Sequence, residues 1–172
     1  NRDQEAAAKA REASGLVDGP LTWHFVGRLQ SNKAKSVVRY ASWVHSVDRA
    51  SLVTALGRAV ARHREAVAAR DAVPGPCADE DLTCLVQVSL DAEERRGGAR
   101  PEDVLGLAEQ IAGTDGLRAG GVMAVAPLGA PPEPAFDRLQ ELSQQLRQSL
   151  PEAPAVSAGM SQDLEEAVAR GA

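Results

Sequence analysis

Hydrophobic and polar positions along the chain follow two periods, one typical of helices and one typical of strands. The alanine-rich residues 3–14 predict a helix, and residues 50–70 place Leu52, Leu56 and Val60 on one helical face. Short apolar, β-branched runs between turn residues predict strands. Five strands are predicted, at residues 21–27, 43–47, 82–91, 121–126 and 155–158.

Helices and strands alternate, which predicts the α/β class with a parallel sheet. Two architectures fit this alternation, an open doubly wound sheet and part of a closed barrel, and periodicity alone does not choose between them. A dinucleotide-binding sheet would carry GxGxxG after its first strand, and neither this motif nor GxxxxGK[ST] occurs. The six predicted helices are residues 3–14, 28–40, 50–70, 101–113, 134–150 and 162–170.

Composition indicates a single soluble domain. The 172 residues are 44% hydrophobic and 25% charged, with no apolar run long enough for a membrane span and no secretion signal. A net charge of −5 is unlike that of a nucleic-acid-binding surface, so neither nucleic acid nor membrane is an expected partner. Cys77 and Cys84 have no CxxC spacing, which favours free thiols in a reducing, cytoplasmic compartment.

The segment between the last predicted strand and helix is the best candidate for a ligand site. Backbone N–H groups of Gly159, Met160 and Ser161 and the Ser161 hydroxyl would meet there as a phosphate group requires. Ser157, two residues earlier, is a further donor or a strand residue. Sequence alone favours the simpler interpretation, in which Ser161 is the N-cap of a helix with Asp163 in its first turn.

Histidines on two strands form the second candidate cluster. His24 and His45 lie on neighbouring strands, and His45 is expected to be a hydrogen-bonded core or rim residue. His63 falls on a helical stretch predicted to be exposed. No carboxylate or third histidine stands at ligand spacing, so no metal site is predicted. Core positions are predicted for Trp23, Trp43 and Met123, and Asp48 and Asp91 are either general bases or helix caps.

Four segments resemble a known family. Residues 23–33, WHFVGRLQSNK, are similar to the WHFIGxLQxNK pattern of the YggS/PROSC proteins, and residues 44–48 match that family's HSVD segment. Residues 156–163, VSAGMSQD, resemble its LSMGMSxD, with Ala158 in place of the usual Met, and residues 121–123 resemble its GLM strand. The similarity extends over the whole chain, and the first motif is long enough to be specific.

The resemblance implies a fold, the (β/α)₈ TIM-type barrel of the alanine racemase N-terminal domain, which runs to roughly 250 residues. On that fold Asn1 falls on the Asn of the family's GEN motif, and the five predicted strands become the third to seventh. The first strand, which carries the cofactor lysine, and the last strand would lie outside the 172 residues. We therefore expect one incomplete barrel domain, truncated at both ends.

The resemblance also implies a cofactor, pyridoxal 5′-phosphate. Such a protein needs a lysine amine, and the three lysines, Lys9, Lys33 and Lys35, all fall on predicted helices, so none is a credible attachment point. The family match favours the phosphate-site interpretation of Ser161 over the capping one. The implied cofactor-binding residues are Asn1, His24, Ser157, Gly159, Met160 and Ser161.

The implied function is that of a non-catalytic carrier of pyridoxal phosphate, serving vitamin B6 and amino-acid homeostasis. Its expected partners are the cofactor and pyridoxal phosphate-dependent apo-enzymes, and we expect a cytoplasmic monomer. An amino-acid racemase is the alternative, but it would need a second acid/base, and the only tyrosine, Tyr40, falls inside a predicted helix. A non-functional fragment lacking the cofactor lysine is the third hypothesis.

Overall fold

A computed structural model describes residues 2–16, 18–19, 21–90 and 97–172. Its centre is a five-stranded sheet in which every neighbouring pair is parallel. The order of the strands across the sheet is their order in the sequence. The strands are β1 (His24–Phe25), β2 (Trp43–Val47), β3 (Leu82–Gln87), β4 (Leu117–Met123) and β5 (Ala155–Ser157).

Helices connect successive strands and cover one face of the sheet. They are α1 (Asp3–Ala13), α2 (Ala34–Val37), α3 (Ala50–Ala68), α4 (Val104–Ala112), α5 (Glu133–Ser149) and α6 (Leu164–Ala169). Single 3₁₀ turns at Ser31–Lys33 and Pro101–Asp103 lead into α2 and α4, and a third lies at Pro76–Ala78. Within the described ranges, no helix is long and apolar enough to cross a membrane.

The strand order decides between the two architectures that the sequence left open. A doubly wound sheet reverses its strand order at a switch point, whereas a barrel wall adds each new strand beside the previous one. The sheet follows the second rule throughout. It is therefore an arc of a parallel barrel, and in the described part of the chain the outer edges of β1 and β5 pair with no further strand.

Apolar faces of the helices meet the sheet where the periodicity predicts. Leu52, Leu56 and Val60 of α3 are completely buried, as the helical pattern indicates. They share one core with Val44 and Val86 on the strands. Burying side chains of this size contributes roughly 1.5–3 kcal/mol each, so this layer between α3 and the sheet is a major source of stability.

Four strands differ from their predicted bounds: β3 and β5 end earlier than predicted, and β1 and β4 differ most. β4 begins at Leu117, four residues before the predicted start, because Gly120 and Gly121 conceal the strand pattern. A side chain at Gly120 would meet Thr83 Cγ2 at 2.5 Å, and Gly121 has a φ of +142° with Ala155 O only 1.9 Å from a Cβ position. Glycine is thus required there by close packing. β1 is only two residues long instead of seven.

Helix starts also differ from the prediction. The predicted helix 28–40 is a 3₁₀ turn followed by the four-residue α2, because Gln30 is still extended. The last helix begins at Leu164 with Asp163 at its N-cap, so the prediction that Ser161 is the cap is wrong. Asp48 pairs with Arg49 and does not cap α3, whose N-cap residue is Arg49.

Candidate functional site

The face of the sheet away from the helices carries a chain of hydrogen bonds across three strands. His24 Nδ1 on β1 lies 2.9 Å from His45 Nε2 on β2, and His45 Nδ1 lies 2.8 Å from Ser157 Oγ on β5. In a flat sheet β2 and β5 would be three strand spacings apart, roughly 14 Å. Their side chains touch because the sheet curls, so these residues lie on its concave face.

The environment of the two histidines keeps them neutral. His24 is stacked on Trp43, with ring centroids 5.2 Å apart and planes inclined by 12°. Burial lowers the pKa of His24, and burial together with the adjacent His24 lowers the pKa of His45 to about 4. At neutral pH each ring therefore has one nitrogen that donates and one that accepts a hydrogen bond.

Three sequence predictions about this region can be compared with the structure. His45 is hydrogen-bonded and half buried, as predicted. Met123 is buried, also as predicted. The prediction that Trp23 and Trp43 are core residues is wrong, because both are only half buried and Trp43 contacts His24 on the concave face.

The loop that follows β5 offers free donors beside Ser157. Gly159 has a φ of +90°, a conformation that favours glycine, and its position is packed against Ala167 of α6. No described residue accepts a hydrogen bond from the N–H groups of Gly159 and Ser161, or from the Ser161 hydroxyl. These three unpaired donors fit a phosphate group in their chemistry.

Met160 contributes less to this loop than its position in the motif suggests. Its backbone N–H donates to Asp163 Oδ1 at 2.6 Å, and its side chain is 55% exposed. The carboxylate of Asp163 thus accepts the hydrogen bond that the Met160 N–H would otherwise donate to a phosphate. Gly159 and Ser161 are consequently the stronger members of the predicted phosphate site.

A cleft opens at the carboxyl ends of the strands, where parallel barrels bind their ligands. Its volume is about 350 Å³. Gly27 and Arg28 after β1, Gln87 at the end of β3, and Met123 at the end of β4 are among its lining residues. The cleft is mostly apolar with a few polar groups, as is usual for small-molecule sites.

Lysines and the tyrosine lie away from the concave face. Lys9 and Lys35 are exposed on α1 and α2, and Lys33 lies in the 3₁₀ turn before α2, so no strand carries a lysine. The Tyr40 hydroxyl donates to Asp3 Oδ1 at 3.3 Å, at the start of α1. Burial and the Asp3 charge raise the pKa of Tyr40, which makes it a poor acid/base at neutral pH.

The predicted cofactor residues are thus brought together in part. His24 and Ser157 join through His45, and Gly159, Met160 and Ser161 follow Ser157 directly. Asn1 and Asp91 lie outside the described residues. Sequence reasoning missed that His45 links His24 to Ser157, since its contact with Ser157 spans 112 positions. Alternation along β2, which puts Trp43 and His45 on one face, was the available signal.

Comparison with known proteins agrees with the curled parallel sheet and the motif positions. The family described as alanine racemase, N-terminal domain, matches residues 3–170. The pyridoxal phosphate homeostasis protein of Mycobacterium tuberculosis is 42% identical over 185 residues, covering 99% of this chain and 67% of the relative. That of Corynebacterium glutamicum is 40% identical, covering 99% of this chain and 72% of the relative.

Solved structures agree with these sequence relatives. The structure of PipY from Synechococcus elongatus with PLP bound matches with a TM-score of 0.80 and 32% identity, covering all of this chain and 74% of that one. PipY without PLP matches equally well in TM-score, at 33% identity. The chain therefore has the alanine racemase N-terminal domain fold, an α/β TIM-type barrel architecture, here as a five-stranded arc. Within that class it belongs to the pyridoxal phosphate homeostasis protein family.

Proposed function

We propose that this chain forms the phosphate-binding and ring-facing part of a pyridoxal phosphate site, in a non-catalytic carrier that serves vitamin B6 and amino-acid homeostasis. One observation carries the proposal: three unpaired donors, on Gly159 and Ser161, lie beside Ser157 at the carboxyl end of β5. The relatives named for pyridoxal phosphate homeostasis and the PLP-bound PipY structure support it.

Each group has a distinct task in this proposal. The free N–H groups of Gly159 and Ser161 and the Ser161 hydroxyl donate to phosphate oxygens, and Ser157 adds a fourth donor. His24 with Trp43 behind it faces the pyridine ring from β1. When bound, the cofactor supplies an aldehyde for covalent attachment to a lysine. The residues named here contribute non-covalent contacts to the cofactor, and the three lysines of this chain lie on no strand.

The position of the tyrosine favours a carrier over a racemase. A racemase needs a second acid/base beside the cofactor, and Tyr40 is bonded to Asp3 on α1 instead. A carrier needs only to hold the cofactor and release it. We infer that the protein releases the cofactor to pyridoxal phosphate-dependent apo-enzymes, and that it acts as a cytoplasmic monomer.

Titration of the chain with pyridoxal phosphate tests the proposal, with the fluorescence of Trp23 and Trp43 as the signal. We expect saturable quenching. Replacing Ser161 with Ala removes a hydrogen bond to a charged group, which is worth about 1.5–3 kcal/mol, so affinity should fall by about 10- to 100-fold.

The matched control is Ser149→Ala, which removes an exposed hydroxyl at the end of α5. It should bind pyridoxal phosphate as the wild-type chain does. Wild-type quenching that fails to saturate, or equal losses in the Ser149→Ala and Ser161→Ala variants, would contradict the proposed site.

A further inference from the structure

His45 is hydrogen-bonded through both of its ring nitrogens, to His24 on one side and to Ser157 on the other. A neutral imidazole has one N–H donor and one lone-pair acceptor. The donor can face only one of the two neighbours at a time. The direction of the hydrogen bond at His24 therefore fixes the direction of the hydrogen bond at Ser157.

We propose that His24, His45 and Ser157 form a hydrogen-bond relay, which couples proton binding at His24 to hydrogen-bond donation from Ser157 to an anion. The relay rests on the proposed function, in which that anion is the phosphate group of the cofactor. His45 is the positioning residue of the relay, because it touches both ends.

The relay has two directions. In the first, His24 Nδ1–H donates to His45 Nε2 and His45 Nδ1–H donates to Ser157 Oγ. The hydroxyl hydrogen of Ser157 is then free to be donated to an anion, and His24 Nε2 has a free lone pair. In the second, Ser157 O–H donates to His45 Nδ1, His45 Nε2–H donates to His24 Nδ1, and His24 carries its hydrogen on Nε2.

Conversion from the first direction to the second conserves charge. Each shared hydrogen crosses its own hydrogen bond, while one proton enters at His24 Nε2 and one proton leaves from the Ser157 hydroxyl. All three residues are neutral before and after. The relay can therefore pass a proton across the concave face without leaving a charge on the half-buried His45 or Ser157.

Protonation of His24 is compatible with the first direction alone, because both nitrogens of the charged ring are then donors. An anion that accepts a hydrogen bond from Ser157 selects the same direction and leaves His24 Nε2 ready to accept a proton. Each event thus favours the other, and the coupling must be equal in both senses.

The surroundings of His24 suit this coupling. Trp43 and His45 on β2 face it, and of these His45 is the titratable group. Burial is the main reason that the pKa values of both histidines are lowered, so the relay is neutral at pH 7. Arg118, the charged side chain on the same face of β4, donates to Thr83 instead.

Nuclear magnetic resonance of the uniformly ¹⁵N-labelled chain, which observes both the histidine rings and the backbone amides, tests the relay, with inorganic phosphate as the probe. The backbone amides of Gly159 and Ser161 report phosphate binding. We expect saturating phosphate to raise the measured pKa of His24 by about half a pH unit or more. Replacing His45 with Phe should abolish this rise while phosphate still shifts the two amides.

The outcomes separate the relay from its alternatives. If phosphate still raises the pKa of His24 in the His45→Phe variant, the phosphate acts through space and the relay is wrong. If phosphate leaves the Gly159 and Ser161 amides unchanged, the proposed phosphate site fails, and a ligand-free measurement then decides the relay. Ser157→Ala should change the ratio of the two neutral tautomers of His24, whereas Ser149→Ala should not. An unchanged ratio in Ser157→Ala overturns the relay.

Discussion

His63 is a buried titratable residue in α3, with 5% of its surface exposed and no described partner for its Nε2. Its predicted exposure was wrong. Burial, and secondarily the charge of Arg39, lower its pKa below 6.5. The unfolded chain binds the proton at a higher pH than the folded chain does. Stability contributed by neutral His63 is therefore complete above pH 6.5 and is lost as the pH falls toward the folded pKa.

Replacing His63 with Leu should flatten the pH dependence of stability. Between pH 7 and pH 5 the free energy of unfolding should fall less steeply in this variant, because one residue that prefers to be neutral in the folded state is gone. Urea unfolding at several pH values measures the slope. Arg62→Leu, on the exposed side of the same turn, is the control, and an equal change of slope in both variants would contradict the explanation.

At the scale of elements, Arg64 holds the connection between α3 and β3. Its guanidinium donates to the carbonyls of Cys77 and Glu80, at 3.0 and 2.9 Å, and to Asp81 Oδ1 at 3.0 Å. These bonds hold the 3₁₀ turn at Pro76–Ala78 against α3. They thereby keep the thiol of Cys77, which belongs to this turn, covered. Burial raises the pKa of Cys77 to about 11, so the folded thiol is unreactive.

Arg64→Ala should loosen this turn without opening the sheet. We expect alkylation of Cys77 to become about tenfold faster, since losing hydrogen bonds worth about 1.4 kcal/mol raises the open population by that factor. Cys84, fully buried in β3, is the internal control and should keep its rate. Equal acceleration of both thiols, measured by peptide mass spectrometry, would instead indicate global destabilisation.

Elements were predicted well where side chains carry the pattern. All five strands and six helices exist, and β2 has its predicted bounds because the Trp43–Val47 segment is apolar between clear turns. The start of β4 was predicted too late because Gly120 and Gly121 have no side chains that could show the alternation of a strand. His63 seemed exposed because its neighbours, Arg62 and Arg64, are charged, and local pattern does not encode the path of a loop that returns over α3.

At the scale of the molecule, curvature of the sheet brings the candidate site together. Ser157 reaches His45 because β3 and β4 curl between them, and β5 is held by β4 alone among the described strands. Gly121 permits that pairing, since Ala155 O would lie 1.9 Å from a Cβ at this position. Sequence motifs supply most of the candidate residues, but only the curled sheet brings His45 to Ser157.

Gly121→Ala should therefore destabilise the chain by more than about 2 kcal/mol, through strained backbone and a displaced β5. Gly106→Ala is a matched control, because a Cβ at this exposed position in α4 would meet nothing within 4 Å. This variant should gain about 0.5–1 kcal/mol from helix propensity. Denaturant unfolding measures both, and a Gly121→Ala variant as stable as the wild-type chain would refute the packing argument.

The agreement between strand order and sequence order also sets a sequence of events during synthesis. Each strand pairs with one that the ribosome has already produced, so the sheet can grow strand by strand in the order of synthesis. The bond between His45 and Ser157, 112 positions apart, is an exception that must wait for β5. A nascent chain that ends before Ala155 can thus build most of its wall while its proposed ligand site is still unassembled.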